Sequence, residues 1–515
     1  MSIRFSRWLV ATLLAGLLGL LAAGFAAAPW RSGTPGAASL DDLWRDHLHR
    51  TGAPGGAYAV VTAEGTTHRG AAGVDGSGDP YSAETRGLWG SLAKPVAASV
   101  ATDLAARGAL DLDATLDRYL QPPCSAGAFN DVTVRDLIHH TAGVGSPPDA
   151  LDVARPGPAR DAAADLCADA TGSPGGYRYS SGGYLLLTAV LEAAGGTTYD
   201  RLVADLGART GAHTLVATSA AARTMPPGHR LVFGRPTAMT TPYDGAGAGY
   251  GYLGGSLRDL EAVARGSLGA DPPLGSPTRD AGVATPSGER YGAGWRLRSL
   301  ADGTTFAWHS GMAPGYSATL MVWPERGLAL VTMTNLSGPW HAEPLLAGPM
   351  ELAARVAPTD PANGSAAGSG SGASAGASHG PSRSVDALYP ALVGTLTAAL
   401  ILLGATVARP PRRLGIVLLA LGVAGLAGVV WAVANGWARQ AWLWAPDVTA
   451  LAVAAIALSL VAGARATTRR RPSGEQTSRR RPSAEKAPVD GRGDPPQTGS
   501  AWGSFDATRS VMRRA

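Results

Sequence analysis

Three apolar segments near the C-terminus, at about 387–408, 414–434 and 446–464, set the limits on what this chain can fold into. Each is close to the ~20 residues that a helix needs to cross a bilayer, and none has a charge in its interior. Three such runs in succession suit a membrane bundle better than the core of a soluble protein. Arg409-Pro410-Pro411-Arg412-Arg413 divides the first two, and a stretch with Trp437, Trp442, Trp444 and one Arg439 divides the last two. Arg465 and Arg469-Arg470-Arg471 come after the third. Positive connections stay in the cytoplasm and tryptophans favour the interface. The first connection and the C-terminal tail are therefore expected inside, with the Trp-rich connection and the domain ahead of the first segment outside, while Arg4 and Arg7 place the N-terminus itself inside.

The N-terminus agrees by independent means. Arg4 and Arg7 precede an apolar run from Trp8 to Phe25 and then Ala26-Ala27-Ala28, the layout of a secretory signal. The run is also long enough to stay as an anchor, so residues 1–28 read as a signal peptide or an N-terminal membrane anchor. Either one exports the domain behind it. Residues 38–356 hold no long apolar run and form one expected soluble domain, while the Gly/Ser/Ala-rich stretch 362–384 reads as a flexible linker. The apolar segments span 387–464 and a basic tail occupies 465–515.

Charge must be divided the same way. Residues 465–515 carry twelve Arg/Lys against five Asp/Glu, so the tail contributes +7 and leaves the remainder at −2 of the chain's +5. No basic face is spread over the folded part, which argues against nucleic acid as a partner. The tail, rich in Pro, Ser and Gly, reads as a disordered cytoplasmic segment suited to anionic lipid. The lipid bilayer is thus one expected partner.

Lysine usage points to chemistry. The chain has two lysines, Lys94 and Lys486, among 44 basic residues. The one outside the tail falls three residues after Ser91, in Gly87-Leu88-Trp89-Gly90-Ser91-Leu92-Ala93-Lys94. Pro95 is tolerated only in a first helical turn, so a helix is expected to begin near Ser91 and run to Ala106. Residues three apart share a helix face, so Lys94 can reach the Ser91 hydroxyl. Arginine there could not replace a group that must lose its proton. A helix-capping serine with a surface lysine has the same spacing, and further motifs are needed to decide.

Two clusters supply them. Tyr177-Arg178-Tyr179-Ser180-Ser181-Gly182-Gly183-Tyr184 leads into an apolar helical run, and Trp308-His309-Ser310-Gly311-Met312-Ala313-Pro314-Gly315-Tyr316 leads into a strand pattern. With these, the chain resembles the serine β-lactamase-related family of class C β-lactamases, D-Ala-D-Ala carboxypeptidases, certain esterases and D-aminopeptidases. The resemblance covers about residues 40–345. Its S-x-x-K motif matches Ser91 and Lys94. Its Y-x-N motif falls on Tyr179-Ser180-Ser181, with Ser181 in place of Asn, and its K-T-G or H-x-G motif falls on His309-Ser310-Gly311. Val132 to Gly143 looks like the family's "T-V-R-D-L-L-x-H-T-S-G", and Tyr291-Gly292-Ala293-Gly294-Trp295 looks like its "Y-G-x-G-W". Gly254 to Leu260 resembles its helix start, with Ser256 and Asp259 suited to capping.

The resemblance implies a fold: an α/β sandwich of the β-lactamase/transpeptidase type. Its antiparallel sheet comes from about 55–75 and 290–335, beside a helical subdomain, and an all-α transmembrane bundle comes after it. It implies roles as well. Ser91 attacks a carbonyl to form an acyl-enzyme, and Lys94 and Tyr179 share the proton transfers. The backbone N–H groups of Ser91 and Met312 form the oxyanion hole, with Ser181, His309, Ser310 and Gly311 meeting the substrate. No cofactor and no metal is called for. The departures at Ser181 and His309 remove an amide and a fixed positive charge, pointing to an esterase or peptidase more than an efficient β-lactam hydrolase. The expected substrate is a small acyl or peptide compound, such as a peptidoglycan fragment, outside the cell membrane.

Two other classes stay open: a tethered penicillin-binding or sensing module without turnover, and a membrane scaffold with a relic ectodomain. His139-His140 reads as structural, because neighbours on a helix point apart and no ligand partners sit at metal spacing. Asp41-Asp42 and Asp111-Leu112-Asp113 read as turn and cap residues. Cys124 and Cys167 are the two cysteines, and sequence leaves open whether they are a disulfide or two buried thiols.

Overall fold

The computed structural model describes residues 39–468, apart from 123, 125–126, 169–173, 270–273, 339–340, 359–387 and 408–411. The N-terminal signal or anchor, the 362–384 linker and the tail beyond Thr468 lie outside the described residues.

The sandwich is built around a sheet of eight strands. In spatial order these are Thr66–Gly73, Gly55–Thr62, Leu328–Thr334, Tyr316–Trp323, Thr305–Ala313, Trp295–Ser299, Arg290–Gly292 and Val283–Ala284. Every pairing is antiparallel. The first hairpin enters the sheet beside the last strand, with Gly56 opposite Thr334 and Thr62 opposite Leu328. Residues from the two ends of the domain thus close one sheet.

Helices cover both faces, which is why Gly55–Thr62 is buried along nearly its whole length rather than alternating. On one face lie the helices Leu40–Thr51 and Ala342–Val356, whose Trp44 and Leu352 pack with Tyr58, Trp308 and Trp323. The first of these helices starts where Ser39 and Asp42 form a reciprocal capping box, and it stops at Gly52 in the left-handed conformation. Asp41 beside it accepts the Tyr58 hydroxyl at 2.7 Å. On the other face lies the helical region, with Ala93–Ala106 at its centre. That helix is rich in Ala and Val; Pro95 sits in its first turn, and Ala93 to Ala101 are buried throughout, Lys94 among them. Ser256 and Asp259 form another capping box at the start of Leu257–Arg265. Cys124 and Cys167 are joined as a disulfide across 43 residues of this region.

Beyond the linker come four helices: Leu388–Val407, Arg412–Ala434, Trp437–Trp444 and Pro446–Thr468. Arg412–Ala434 and Pro446–Thr468 are long and apolar enough to cross a membrane, whereas the apolar part of the first is the shorter Ala391–Gly404. Two details differ from the sequence expectation. The Trp-rich connection is itself a short helix, and the last helix runs to Thr468, past the expected start of the tail. Gly415 and Gly463 let the two long helices meet closely, since a Cβ on Gly415 would lie 1.9 Å from that of Ala466. The hairpin Gly228–Met239 of the sandwich reaches these helices. Arg230 donates to the carbonyls of Trp442 and Leu443 at 3.1 and 3.0 Å, and the Phe233 N–H donates to Asp447 at 2.8 Å.

Candidate active site

Ser91 lies on a tight turn, Gly90–Leu92, that feeds directly into the central helix. Two glycines set it against the sheet. Gly90 has φ +59°, and a Cβ there would lie 2.2 Å from the Met312 nitrogen; one on Gly311 would lie 1.9 Å from the Trp89 carbonyl oxygen and 2.9 Å from the Ser91 nitrogen. No side chain fits either place, so the turn and the strand touch main chain to main chain. The Ser91 and Met312 amides lie at that junction.

The strand edge beside the turn is open for a reason of register. Thr305–Ala313 pairs with Tyr316–Trp323 from Ala307 through Ala313, but with Trp295–Ser299 only as far as Trp308 opposite Arg296. From His309 onward this edge has no strand partner among the described residues. The Ser91 turn occupies part of the space.

Lys94 is buried, with 0 % of its surface exposed. Its Nζ lies 3.0 Å from Ser91 Oγ, 2.7 Å from the Tyr250 carbonyl oxygen and 3.4 Å from Ser181 Oγ. Burial pulls its pKa from 10.5 down to about 7; the Asp152 carboxylate works against that fall and the Arg296 guanidinium adds to it. As a free amine it can donate to Tyr250 and Ser181 and keep its lone pair for the Ser91 proton.

Tyr179 precedes the helix Ser181–Gly195, whose first turn is capped by the Ser180 hydroxyl accepting from the Gly183 N–H at 2.8 Å. Its ring centre is 4.9 Å from Lys94 Nζ. Burial pushes its hydroxyl up to about 12, although a hydrogen bond with Ser91 pulls the other way. It is a protonated phenol at neutral pH. Ser181 holds the first position of the same helix and donates its N–H to Ser146 Oγ at 2.9 Å.

His309 is buried and neutral. Its Nδ1 donates to the Ser310 carbonyl at 2.6 Å, which leaves Nε2 to accept from the Tyr291 hydroxyl at 3.3 Å. Burial, then Arg296 and Lys94, push its pKa well below the usual imidazole range. It therefore brings no charge to the strand edge. Ser310 is half-buried on the same strand, and the Met312 side chain packs toward the core of the opposite sheet face.

The structure adds groups that the sequence reading did not name as parts of the site. The Tyr250 carbonyl belongs to Ala248–Tyr252, a single wide helical turn of π type, a local form often found at functional sites. No side-chain pattern marks a carbonyl. Tyr291 appeared only as part of a strand signature, yet its ring packs against His140, 4.6 Å between centres. His140 ends the helix Val134–His139 with φ 61°, and its Nδ1 accepts the Ser180 N–H at 3.1 Å. Its Nε2 then carries the proton, buried and without a hydrogen-bond partner among the described residues, beside the rings of Tyr179 and Tyr184. His139 turns elsewhere, to Asp280 at 2.6 Å. Among the described residues no group of His, Cys, Asp and Glu forms a metal site.

Residues 40–354 match the family model described as Beta-lactamase. No curated protein matches the chain. Among solved structures, the octameric penicillin-binding protein homologue from Pyrococcus abyssi is 21% identical, over 61% of this chain and 76% of that one, with a TM-score of 0.54. The class C β-lactamase from Rhodobacter sphaeroides is 18% identical, over 62% and 99%, with a TM-score of 0.52. The β-lactamase/D-alanine carboxypeptidase from Pseudomonas syringae is 19% identical, over 62% and 98%, with a TM-score of 0.51. At these identities the likeness establishes the fold.

Proposed function

The chain belongs to the β-lactamase family of serine hydrolases acting on amides or esters, and we propose that it works through an acyl-enzyme on Ser91 with Lys94 as the base. The observation that carries this reading is the buried Lys94 amine, 3.0 Å from Ser91 Oγ and anchored on the Tyr250 carbonyl. A serine hydroxyl is a weak nucleophile until a neighbouring base takes its proton, and an amine with a pKa of about 7 serves near neutral pH.

Ser91 Oγ attacks the substrate carbonyl carbon as its proton passes to Lys94 Nζ. The Ser91 and Met312 N–H groups receive the developing oxyanion, a contribution of about 3 kcal/mol per donor. Collapse of the tetrahedral intermediate breaks the bond to the leaving group, which takes a proton from Lys94 by way of the Tyr179 hydroxyl. Water then attacks the acyl ester by the same path reversed, with Lys94 again the base. Tyr179 fits the relay and not the base, because burial holds its proton on.

The substrate side favours esters and peptides over penicillins. A serine hydroxyl at 181 is shorter than an amide, and neutral His309 supplies no cation for a carboxylate. We place the domain outside the cell membrane, on the C-terminal bundle, where peptidoglycan fragments are within reach. The hairpin contacts with that bundle favour one second reading, a sensing ectodomain that acylates without turnover.

A fluorophosphonate probe tests the nucleophile: labelling is expected in the native protein and absent in Ser91→Ala. An unlabelled native protein sinks the proposal. Turnover of an aryl ester separates hydrolase from sensor, and a nitrocefin rate far above the ester rate overturns the substrate preference.

A further inference from the structure

Arg439 is the one charged residue between Ala434 and Pro446, and among the described residues it bonds main-chain carbonyls rather than a carboxylate. Its guanidinium is half-buried and donates to three main-chain carbonyls of the sandwich, those of Pro148, Leu151 and Asp152, the Leu151 bond being 2.9 Å. Gln440 beside it donates to the same Leu151 carbonyl at 3.1 Å. Gly436 at the start of this helix comes so near that a Cβ on it would lie 2.6 Å from the Asp149 nitrogen. The short helix Trp437–Trp444 thus grips the loop 148–152 by its backbone. A planar fork of donors suits that task, because it fixes the positions of several oxygens at once.

The gripped loop leads to the site. Asp152 has φ 54°, an uncommon conformation for a residue with a side chain, and it bonds both tyrosines of the wide turn. Its N–H donates to the Tyr250 hydroxyl at 2.8 Å, and its Oδ1 accepts the Tyr252 hydroxyl at 2.9 Å. Tyr250 in turn donates to Asp244, which is 0 % exposed and holds Arg155 at 2.9 Å. Between the two anchored rings, the turn presents the Tyr250 carbonyl to Lys94 Nζ at 2.7 Å. One contiguous chain of hydrogen bonds runs from the helix between the two long apolar helices to the base.

We propose that Arg439 is a positioning residue for the hydrolase site: by fixing loop 148–152 it holds the Tyr250 carbonyl, and through it Lys94, in line with Ser91. The inference rests on the hydrolase reading and extends it, since activity then depends on how the C-terminal helices seat against the sandwich. An arginine that merely glued two bodies together would change stability and leave the chemical step alone.

The test uses the full chain in detergent or nanodiscs, with hydrolysis of a p-nitrophenyl ester and Ser91 labelling by a fluorophosphonate as readouts. Arg439→Ala is expected to lower kcat about tenfold with KM within about twofold, the size of effect seen for residues that couple distant sites. Arg439→Lys is expected to fall between the two. Tyr250→Phe and Tyr252→Phe together remove both side-chain links between Asp152 and the turn, so Arg439→Ala in that double background is expected to add little further loss. Losses that simply multiply, or a kcat unchanged in Arg439→Ala, overturn the proposal while a labelled native protein leaves the hydrolase reading standing. Should Arg439→Ala fail to fold, an unchanged kcat in the Tyr250→Phe/Tyr252→Phe double variant overturns it instead. A native protein that is not labelled removes both.

Discussion

On the proposed mechanism, a pH dependence of Ser91 acylation is the most direct consequence of where Lys94 sits. If the free amine is the reactive form, the rate tracks its deprotonated fraction. For a pKa of about 7 that fraction is about 3% at pH 5.5 and about 97% at pH 8.5, a rise of about 30-fold through a single proton. The neighbours leave this window clear: burial holds His140 and His309 well below the usual imidazole range, and Tyr179 stays protonated up to about 12. Asp152 and Arg296 are the charges that act on the amine. The assay is the second-order rate of fluorophosphonate labelling, read across that range on the full chain. Lys94→Arg keeps the charge and loses the base, with an expected loss of about 10²–10⁴. The same burial links to stability with a definite sign. The folded pKa lies below the unfolded value of 10.5, so between pH 7 and 10.5 the unfolded chain binds a proton that the folded one does not. Stability therefore rises with pH through that window, by on the order of 5 kcal/mol in all. Lys94→Met flattens the slope. A rate that is flat from pH 5.5 to 8.5, or a Lys94→Arg variant within tenfold of native, would falsify the assignment of Lys94 as base.

Three other outcomes are expected. Tyr179→Phe removes the relay hydroxyl but not the ring, so kcat is expected to fall about 10²-fold or more with thermal stability nearly unchanged; a kcat near native removes Tyr179 from the mechanism. Gly311→Ala drives a methyl into the Trp89 carbonyl at 1.9 Å, and the expected result is a loss of 1–3 kcal/mol, about 2 being typical, with turnover down about 100-fold while circular dichroism stays native. Unaltered turnover there means that the strand and the Ser91 turn are not in register for catalysis. Reduction of Cys124–Cys167 opens a loop of 43 residues, for which the chain-entropy relation gives about 4 kcal/mol of stability; urea midpoints that coincide with and without reductant contradict it.

Much of the fold is legible in the sequence because its signals are local. The alternating and apolar runs at Ser317–Trp323 and Leu328–Thr334, with Pro324-Glu325-Arg326-Gly327 between them, read as a hairpin and form one. Ser91 and Lys94 are legible because helical spacing brings side chains three apart together, and because lysine is scarce here. The hidden part is carried by main chain and by long-range placement. The Tyr250 carbonyl has no residue signature, and its role depends on a wide turn some 150 residues from Lys94 in sequence. His140 reads as structural alongside His139 because neighbours on a continuing helix point apart; the left-handed turn at His140 instead ends the helix and sends its ring among the tyrosines of the site. The Trp-rich connection reads as an interfacial loop because tryptophan spacing alone does not reveal that Gly436 starts a new helix.

The pairing of Gly55–Thr62 with Leu328–Thr334 carries a consequence for how the molecule is made. The strand that flanks the Ser91 turn is Thr305–Ala313, and on one side it is held in the sheet by strands that arrive still later. A growing chain therefore displays Ser91 and Lys94 long before it has the strand edge that orients them. Closing a sheet across such a sequence distance is slow, because loop entropy must be met before the contacts form. On the proposed mechanism, Ser91 is expected to stay latent until nearly the whole domain has been synthesised.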